Sequence, residues 1–303
     1  MTLSETDYRP VTLKDKPIFD KIFKKYQQVN SECSFVTMIC YEHYVQHSFT
    51  IQNGRLLLAY MVDDETTYNA PIGEPDPELF EEVFALAQSC GGKIAMNFFD
   101  EADVRYMKNA HPETPVYVAR GLSDYYYRTE ELAELHGRKY LSIRNEINRF
   151  NAEYSYTTER LTHAITPEVR LMIEEWRISK HYEANPTLKE EVNAMLFALD
   201  HWEELGCEGL VIRILPENTI GAVAVWEELN SVTALIHIEK AVVRYRGIYK
   251  IINQETAKEL RGRYDWINRE GDVDVLGLRE AKLRYHPAYC AMAWYIKREE
   301  MVF

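Results

Sequence analysis

The sequence predicts an α/β (α+β) protein with two similar halves, each a mixed sheet with helices packed on it. Strand-like and helix-like segments follow the same outline in both halves: a helical opening, a meander of strands, then helix, strand, helix, strand. The composition is 46% hydrophobic, and 303 residues suffice for two ordinary domains. We therefore expect domains 1–155 and 156–303, and we place the candidate active site in the second.

The first half is predicted from its turn and helix signals. Asn53-Gly54 between two strand-like runs indicates a hairpin. Pro77 is typical of a helix start, and Gly91-Gly92 of a helix end. The predicted segments are a helical stretch over 11–30, strands 45–51 and 55–62, a helix over 77–88, a strand over 93–99, a helix over 101–108, a strand region over 116–128, and helices over 130–135 and 138–150.

The second half is predicted in the same way. Thr166-Pro167 combines a capping residue with Pro at the first helical position, and Gly206 is typical of a helix end. The predicted segments are a strand over 154–161, helices over 166–182 and 188–205, strands over 209–215, 220–226 and 232–243, a helix over 248–260, a strand over 265–268, a helix over 276–284 and a closing strand over 292–297.

Charge and cysteine content limit the functional classes. The net charge of −13 gives no general attraction to nucleic acid or to anionic membranes, yet residues 240–263 form a locally basic segment that suits a phosphate-bearing ligand. Five widely spaced cysteines without a C-x-x-C motif favour free thiols in a reducing compartment. No signal peptide or membrane-spanning run is visible, so we expect a cytoplasmic protein.

The first candidate site is the turn between the strand over 232–243 and the following helix. Arg244, Arg246, Gly247 and Tyr249 lie there. Free backbone N–H groups and the helix dipole make a helix N-terminus attractive to phosphate groups, and the arginines add positive charge. We expect this turn to hold a phosphate-bearing acyl donor. An ordinary strand-to-helix turn with solvated arginines is the alternative that the residues leave open.

The second candidate site follows the short strand over 265–268. Asn268, Arg269 and Glu270 come where the strand ends, and polar residues at the carboxyl end of a sheet strand often line a site. A carboxylate there can hold a substrate ammonium group or accept a proton from an attacking nucleophile. Lys282, on the next predicted helix, can face the same place. A charged turn without catalytic function is the open alternative.

A second basic face is predicted over residues 138–149. Lys139, Arg144 and Asn145 belong to it, and Asp124 and Tyr125 lie in the aromatic strand before it. Aromatic side chains beside cations can stack on nucleic-acid bases or on an adenine ring, so these residues are candidates for binding a substrate that carries one. Trp176 and Lys180 share one helix face and are further candidates. Each set also fits a plain structural role, with tyrosines and indole in the core and a solvated basic face.

Common catalytic and metal-binding motifs are missing from the sequence. It contains no H-E-x-x-H, no G-x-S-x-G, no Walker A motif and no G-x-G-x-x-G. The nine histidines show no metal-ligand spacing. We therefore expect neither a metal site nor a tightly bound cofactor.

The chain resembles known families over nearly its whole length. The region from Gly209 to Arg298 resembles a half of a Gcn5-related N-acetyltransferase (GNAT), with Arg244 to Gly247 matching the R-x-x-G turn and Tyr249 replacing the usual second glycine. The runs S-D-Y-Y-Y…L-x-x-L-x-G-R-K…R-N-x-I-N-R-F and R-G-I-Y-K-I-I-N-Q…W-I-N-R-E…G-L-R-x-A-K are similar to the phosphatidylglycerol lysyltransferase C-terminal-like family. That resemblance implies two tandem GNAT-like domains, each a mixed, largely antiparallel sheet flanked by helices.

The resemblance also implies a reaction. The expected activity is direct transfer of an aminoacyl group from aminoacyl-tRNA to an acceptor, without a metal or a covalent enzyme intermediate. Glu270, Arg269, Asn268 and Lys282 would lie near the reacting groups, and Arg244 and Gly247 near the donor. The acceptor would be a small molecule, a peptide or a lipid headgroup, soluble or peripheral because no membrane-embedded segment is visible. An acyl-CoA donor and a non-catalytic binding protein on the same fold are the alternatives.

Overall fold

The computed structural model describes residues 3–179 and 186–302. In chain order, its strands are β1 (Arg9–Pro10), β2 (Gln46–Gln52), β3 (Arg55–Val62), β4 (Glu65–Asn69), β5 (Ile94–Phe98), β6 (Tyr117–Val118), β7 (Asp124–Arg128), β8 (Ser155–Arg160), β9 (Glu208–Leu215), β10 (Thr219–Asn230), β11 (Thr233–Ala241), β12 (Trp266–Asn268), β13 (Tyr289–Ala291) and β14 (Trp294–Lys297). Its α-helices are α1 (Lys16–Lys25), α2 (Phe35–Cys40), α3 (Pro77–Ser89), α4 (Glu101–Ala110), α5 (Thr129–Glu134), α6 (Leu141–Glu153), α7 (Thr166–Ser179), α8 (Pro186–His201), α9 (Ile248–Leu260) and α10 (Leu276–Leu283).

The first sheet has the strand order β1-β2-β3-β4-β5-β14-β6. Its neighbours run antiparallel except β4 and β5, which are parallel. The β2–β3 hairpin turns through Asn53 and Gly54, both in the left-handed region, as the hairpin signal predicts. Helix α3 buries Val83 and Phe84 in a core that includes Met96 of β5. Apolar side chains on one face of the helix therefore fix it against the parallel strand pair.

The second sheet has the strand order β13-β7-β12-β11-β10-β9-β8. Strands β11 and β12 run parallel, and β8, β9, β10 and β11 follow one another antiparallel. Strand β10 is buried without interruption from Ile220 to Trp226, so alternation between polar and apolar residues is absent there. Helices α7 and α9 both pack on β10, which explains why so many consecutive side chains are apolar.

The chain forms two compact units, which we call the first and the second unit. The first comprises Met1–Asp124, Gly271–Val275 and Ala291–Phe303, and the second comprises Tyr125–Glu270 and Leu276–Cys290. This division differs from the boundary at residues 155 and 156 that the sequence suggests. The reason lies in strand pairing: β7 joins the second sheet through β12, and β14 joins the first sheet through β5.

The predicted fold class is confirmed, because both sheets are mixed, largely antiparallel and flanked by helices. Helix α9 occupies the predicted residues, whereas other segments differ from the prediction. The strand region expected over 116–128 is two strands separated by a 3₁₀ helix at Arg120–Leu122. Strands β4 and β13 were not expected. The end predicted for the helix over 166–182 lies outside the described residues.

Candidate functional site

A divergence of two parallel strands creates the candidate site in the second unit. The last residues paired between β11 and β12 are Leu235 and Asn268. Strand β11 continues to Ala241, whereas β12 ends at Asn268. Side chains that follow this point on both segments meet each other: His237 and Glu239 come from β11, and Arg269 and Glu270 follow β12. Positions beyond the carboxyl ends of parallel strands are common ligand sites in α/β proteins.

The first contact across the divergence is a cluster of one imidazole and two carboxylates, Glu227, His237 and Glu270. His237 Nε2 lies 2.9 Å from Glu227 Oε1, and His237 Nδ1 lies 3.5 Å from Glu270 Oε1. Burial alone would lower the pKa of His237, but the two carboxylates outweigh burial and raise that pKa to about 9. His237 is therefore a cation at neutral pH. The Glu270 side chain is 37% exposed, against 15% for Glu227, so Glu270 is the accessible carboxylate of the cluster.

The second contact across the divergence is a buried ion pair. Arg269 Nη2 donates to Glu239 Oε1 at 2.6 Å, and Asn253 Nδ2 of α9 donates to the other oxygen at 3.1 Å. The guanidinium also lies over the rings of Tyr285 and Tyr127, at 5.0 and 5.7 Å from their centroids. Burial lowers the pKa of Arg269, but the Glu239 carboxylate outweighs burial and the pKa is raised. The Nη2 atom of Arg269 is therefore engaged by Glu239, whereas Nη1 is buried and has no hydrogen-bond partner among the described residues.

Lys282 holds the backbone that carries Glu270. Its ammonium donates to the carbonyl oxygens of Arg269 at 2.6 Å and of Glu270 at 3.0 Å, and the side chain is 7% exposed. Glu270 adopts a φ of 58°, a left-handed conformation that is strained for a residue with a side chain. Its amide donates to Asn268 Oδ1 at 2.7 Å. The four residues predicted as catalytic thus form one connected cluster, in which Lys282 and Asn268 fix the position of Glu270.

An ion pair between Lys240 and Glu191 lies beside the cluster. Lys240 Nζ contacts Glu191 Oε1 of α8 at 2.5 Å and lies 4.8 Å from the ring of Trp176. The Trp176 indole is 3% exposed and donates to Tyr249 Oη at 2.8 Å. Trp176 and Tyr249 therefore pack inside the second unit and link α7 to the start of α9. Lys180, predicted on the same helix face as Trp176, lies outside the described residues.

The predicted strand-to-helix turn before α9 is present, and Gly247 is the N-cap residue of the helix. Gly247 has a φ of 98°, and a Cβ atom there would lie 3.1 Å from the backbone oxygen of Glu146. Both facts explain why this position requires glycine. Arg244 pairs with Glu175, whereas Arg246 is exposed. Within the described residues, no hydrogen bond is formed by the amides of Gly247 and Tyr249 or by the side chain of Arg246.

Lys250 adds a cation to the same turn. Its ammonium lies 5.0 Å from the centroid of the Tyr285 ring and forms no ion pair within the part of the chain that the structure describes. Burial lowers the pKa of Lys250; Glu146 opposes this effect, and the cations Arg284 and Arg269 add to it. Two cations, Arg246 before α9 and Lys250 in its first turn, therefore form no ion pair with a carboxylate of the described residues.

The other predicted binding residues of the second unit have mainly structural roles. Tyr125 is fully buried. Lys139 pairs with Glu131 at 2.6 Å, which neutralises part of the predicted basic face. Arg144 donates to the carbonyl oxygens of Leu135 and Gly137, and so caps the end of α5. Asn145 is exposed on α6.

Asp124 belongs to the first unit and is also fully buried. Its carboxylate accepts hydrogen bonds from the amide of Ser31 at 2.6 Å and from the Ser31 hydroxyl at 2.9 Å. Asp124 therefore anchors the segment before α2. It is not available at a surface where nucleic acid could bind.

Several residues of the site are missing from the sequence-based prediction. His237, Glu239 and Lys240 lie on β11, and Lys250 lies on α9. His237 and Glu239 are two residues apart, so they lie on the same face of a strand that leads to the turn before α9. This spacing could have predicted that the two side chains lie together. The partners on α8 and β10 could not be found, because contacts between distant segments leave no local pattern.

Within residues 3–179 and 186–302, no group of three histidine, cysteine or carboxylate side chains is arranged to hold a metal ion. No helix in those ranges is both long and apolar enough to cross a membrane.

The sequence of the chain matches a known protein family over most of its length. Residues 23–297 match the family described as phosphatidylglycerol lysyltransferase, C-terminal. A comparison with curated proteins gave no significant match.

Solved structures show the same fold. A conserved protein of unknown function from Bacteroides thetaiotaomicron is 25% identical, with a TM-score of 0.88 over 96% of this chain and 98% of that one. The C-terminal domain of a protein named as a lysylphosphatidylglycerol synthetase, from Agrobacterium fabrum, is 14% identical, with a TM-score of 0.63 over 94% and 92% of the two chains. L-PGS from Bacillus licheniformis is 13% identical, with a TM-score of 0.58 over the same shares. These likenesses agree with the confirmed fold class, two mixed, largely antiparallel sheets flanked by helices.

Proposed function

This chain belongs to the phosphatidylglycerol lysyltransferase C-terminal family, and we propose that it transfers an aminoacyl group from aminoacyl-tRNA to an acceptor at the strand divergence of the second unit. The family and the fold are those of aminoacyl- and acyl-transferases. The acceptor in this proposal is a small molecule, a peptide or a lipid headgroup that presents a hydroxyl or an amine.

The observation that carries the proposal is the Glu227–His237–Glu270 cluster. One imidazolium is shared by two carboxylates, and the longer of its two contacts, 3.5 Å, is the one to Glu270. Glu270 is also the more exposed carboxylate. An aminoacyl ester differs from a simple acyl ester by its α-ammonium group, which an accessible carboxylate can bind strongly. We assign Glu270 to holding that ammonium group by a charge-assisted hydrogen bond.

The chemistry needs few further groups. The hydroxyl or amine of the acceptor attacks the ester carbonyl carbon, the bond from that carbon to the ribose oxygen breaks, and the nucleophile loses its proton as the ribose hydroxyl forms. The protein contributes mainly by holding the two reactants in position. Lys282 and Asn268 serve that end indirectly, because they fix the strained backbone of Glu270.

The turn before α9 supports a phosphate-bearing donor. The amides of Gly247 and Tyr249, the exposed guanidinium of Arg246 and the ammonium of Lys250 are the groups proposed to contact donor phosphates. Arg244 contributes less, because Glu175 already neutralises it.

The test uses the purified protein and total tRNA charged with a mixture of radiolabelled amino acids. Filter binding compares charged with uncharged tRNA, and release of label from tRNA is followed after adding a fractionated cell extract as the source of acceptor. The proposal predicts preferential binding of charged tRNA and faster loss of label when both protein and extract are present. Failure of both would overturn it.

Melting-temperature measurements distinguish a CoA donor from a tRNA donor. A ligand that binds only the native state raises the melting temperature, and the rise continues with the logarithm of the ligand concentration above Kd. Acetyl-CoA and longer acyl-CoA esters are therefore expected to leave the melting temperature unchanged. A rise that grows with the concentration of an acyl-CoA, and none with charged tRNA, would instead support the CoA-dependent acyltransferase.

A further inference from the structure

The first unit contains a cleft that the proposed reaction does not use. Its volume is about 380 Å³, within the range of small-molecule sites. It lies beyond the carboxyl ends of the parallel strands β4 and β5, at Asn69 and Phe99, and beside the first turns of α3 and α4. This is the same topological position that the site of the second unit occupies on β11 and β12, and it is a common ligand position in mixed sheets.

The lining of the cleft is acidic and aromatic. Four carboxylates line it, and no lysine, arginine or histidine does so among the described residues; the carboxylates are Glu74, Asp76, Asp100 and Asp103. The aromatic lining residues are Tyr26, Phe80, Phe99 and Tyr106. Carboxylates attract cations, and aromatic faces stabilise them further through their quadrupoles. The composition therefore favours a positively charged organic ligand.

Three of the four carboxylates are already used by the protein. Asp76 and Asp100 cap α3 and α4, accepting from the amides of Leu79 at 3.2 Å and Ala102 at 2.6 Å. Glu74 faces Lys25 at 3.4 Å, with both side chains largely exposed. Asp103 forms no hydrogen bond or ion pair with any described residue. Burial, and then the charge of Asp100, raise the pKa of Asp103 to about 7.

A second acceptor in the cleft also lacks a donor. Asn69 is only 6% exposed, and its side-chain oxygen has no hydrogen-bond partner within the described part of the chain. A buried polar atom without a partner costs about 1–3 kcal/mol, so such atoms usually mark a place where a ligand or water binds. Two acceptors of the cleft, the Asp103 carboxylate and the Asn69 side-chain carbonyl, thus have no donor partner among the described residues.

We infer that this cleft binds a small organic cation with an ammonium group, which Asp103 and Asn69 hold by hydrogen bonds while the aromatic residues contact its apolar stem. A metal ion does not fit as well, because the other carboxylates are engaged and no three-ligand group exists among the described residues. The inference concerns the first unit alone and does not require that the second unit catalyse aminoacyl transfer.

The test measures binding by isothermal titration calorimetry at constant ionic strength, since the net charge of −13 attracts any cation weakly. The probes are cadaverine, L-lysine and choline, and neutral 1,5-pentanediol serves as the isostere of cadaverine. The expected result is saturable binding of one or more of the cations and none of the diol. Absence of binding by all three cations up to about 10 mM would overturn the inference.

Two variants assign the binding to the cleft. Asp103→Asn removes the unpaired carboxylate and should weaken binding by about tenfold or more, as loss of a charge-assisted hydrogen bond requires. Glu101→Gln removes a carboxylate from the same helix that is 74% exposed and outside the cleft, and should leave binding within about twofold. Equal effects of the two variants would contradict the site.

Hydrogen–deuterium exchange locates the bound cation independently of the variants. Cadaverine should protect backbone amides over residues 69–77 and 99–106, which border the cleft. Protection confined to other segments would overturn the assignment even if a cation binds. Because neither measurement depends on turnover, loss of the proposed transfer reaction and loss of this site remain distinguishable outcomes.

Discussion

Replacing His237 should change how the stability of the protein depends on pH. Its pKa rises from 6.5 to about 9 in the folded state, because Glu227 and Glu270 stabilise the imidazolium despite burial. Each pKa unit corresponds to about 1.4 kcal/mol, so the cluster contributes roughly 3 kcal/mol through His237 when the imidazole is charged. The folded state holds this proton more tightly than the unfolded state. The contribution is therefore complete below pH 6.5 and is lost as the pH rises through about 9.

The assay is urea denaturation of the wild type and of His237→Gln at several pH values. The difference in unfolding free energy between the two proteins should shrink by roughly 3 kcal/mol between about pH 6 and about pH 9.5. His136→Gln is the matched control, because His136 also contacts a glutamate, Glu134 at 2.9 Å, but is 81% exposed. Solvent screening makes such exposed pairs weak, so this control should show little pH dependence.

Direct titration of the imidazole by NMR provides the decisive readout. The midpoint for His237 should lie near pH 9 in the wild type and should fall when Glu227 is replaced by Gln, which removes the closer carboxylate. A midpoint at or below 6.5 in the wild type would refute the argument that the carboxylates outweigh burial. A stability difference that stays constant with pH would refute it independently.

Three further predictions concern backbone geometry and buried charge. Gly247→Ala should lower the unfolding free energy by about 1 kcal/mol more than Gly262→Ala, because both positions have a positive φ but only a Cβ at 247 approaches a backbone oxygen, at 3.1 Å; equal losses in urea denaturation would contradict this. Arg269→Met should cost about 3–5 kcal/mol in the same measurement, since it leaves the buried Glu239 carboxylate unpaired, and a second change, Glu239→Gln, should recover most of the loss. Asp103→Asn should stabilise the ligand-free protein at about pH 8 but not at about pH 3, because the folded state raises the pKa of this carboxyl from 3.8 to about 7 and so disfavours its charged form; lower stability of this variant at about pH 8 would count against a buried, unpaired carboxylate.

Local signals predicted the secondary structure well where they were strong. Helix α9 was predicted at Ile248–Leu260 because Gly247 precedes an uninterrupted amphipathic run. The β2–β3 hairpin followed from Asn53-Gly54. The pairing of strands could not be predicted from such local signals. The closing strand was predicted from its apolar residues, but nothing local shows that β14 pairs with β5 of the first sheet.

The candidate site was predictable to the extent that it follows the end of a strand. Asn268, Arg269, Glu270 and Lys282 were chosen from their positions, and the structure brings them together. Their individual roles were not predictable, because those depend on charges that arrive from other segments. Glu239 pairs with Arg269, backbone carbonyls accept from Lys282, and Glu270 keeps the most exposed side chain of the four.

The cleft of the first unit shows the same limit. The sequence reveals an excess of carboxylates over residues 63–82, but not which of them lack partners. Asp76 is committed to capping α3, whereas the unpaired Asp103 lies outside that segment, on α4. Only the fold distinguishes a carboxylate that caps a helix from one that faces a cleft.

The central claim is that Glu270 recognises the ammonium group of an aminoacyl donor. Nitrous acid treatment converts aminoacyl-tRNA into its hydroxyacyl counterpart, which keeps the ester and loses the charge. Wild-type protein should consume the aminoacyl ester at least about tenfold more efficiently, and Glu270→Gln should abolish that preference, mainly through KM. Glu228→Gln, which removes an exposed carboxylate that accepts from Tyr264, is the matched control and should retain the preference. Equal consumption of the two esters by the wild type, or an unchanged preference in Glu270→Gln, would contradict the assignment.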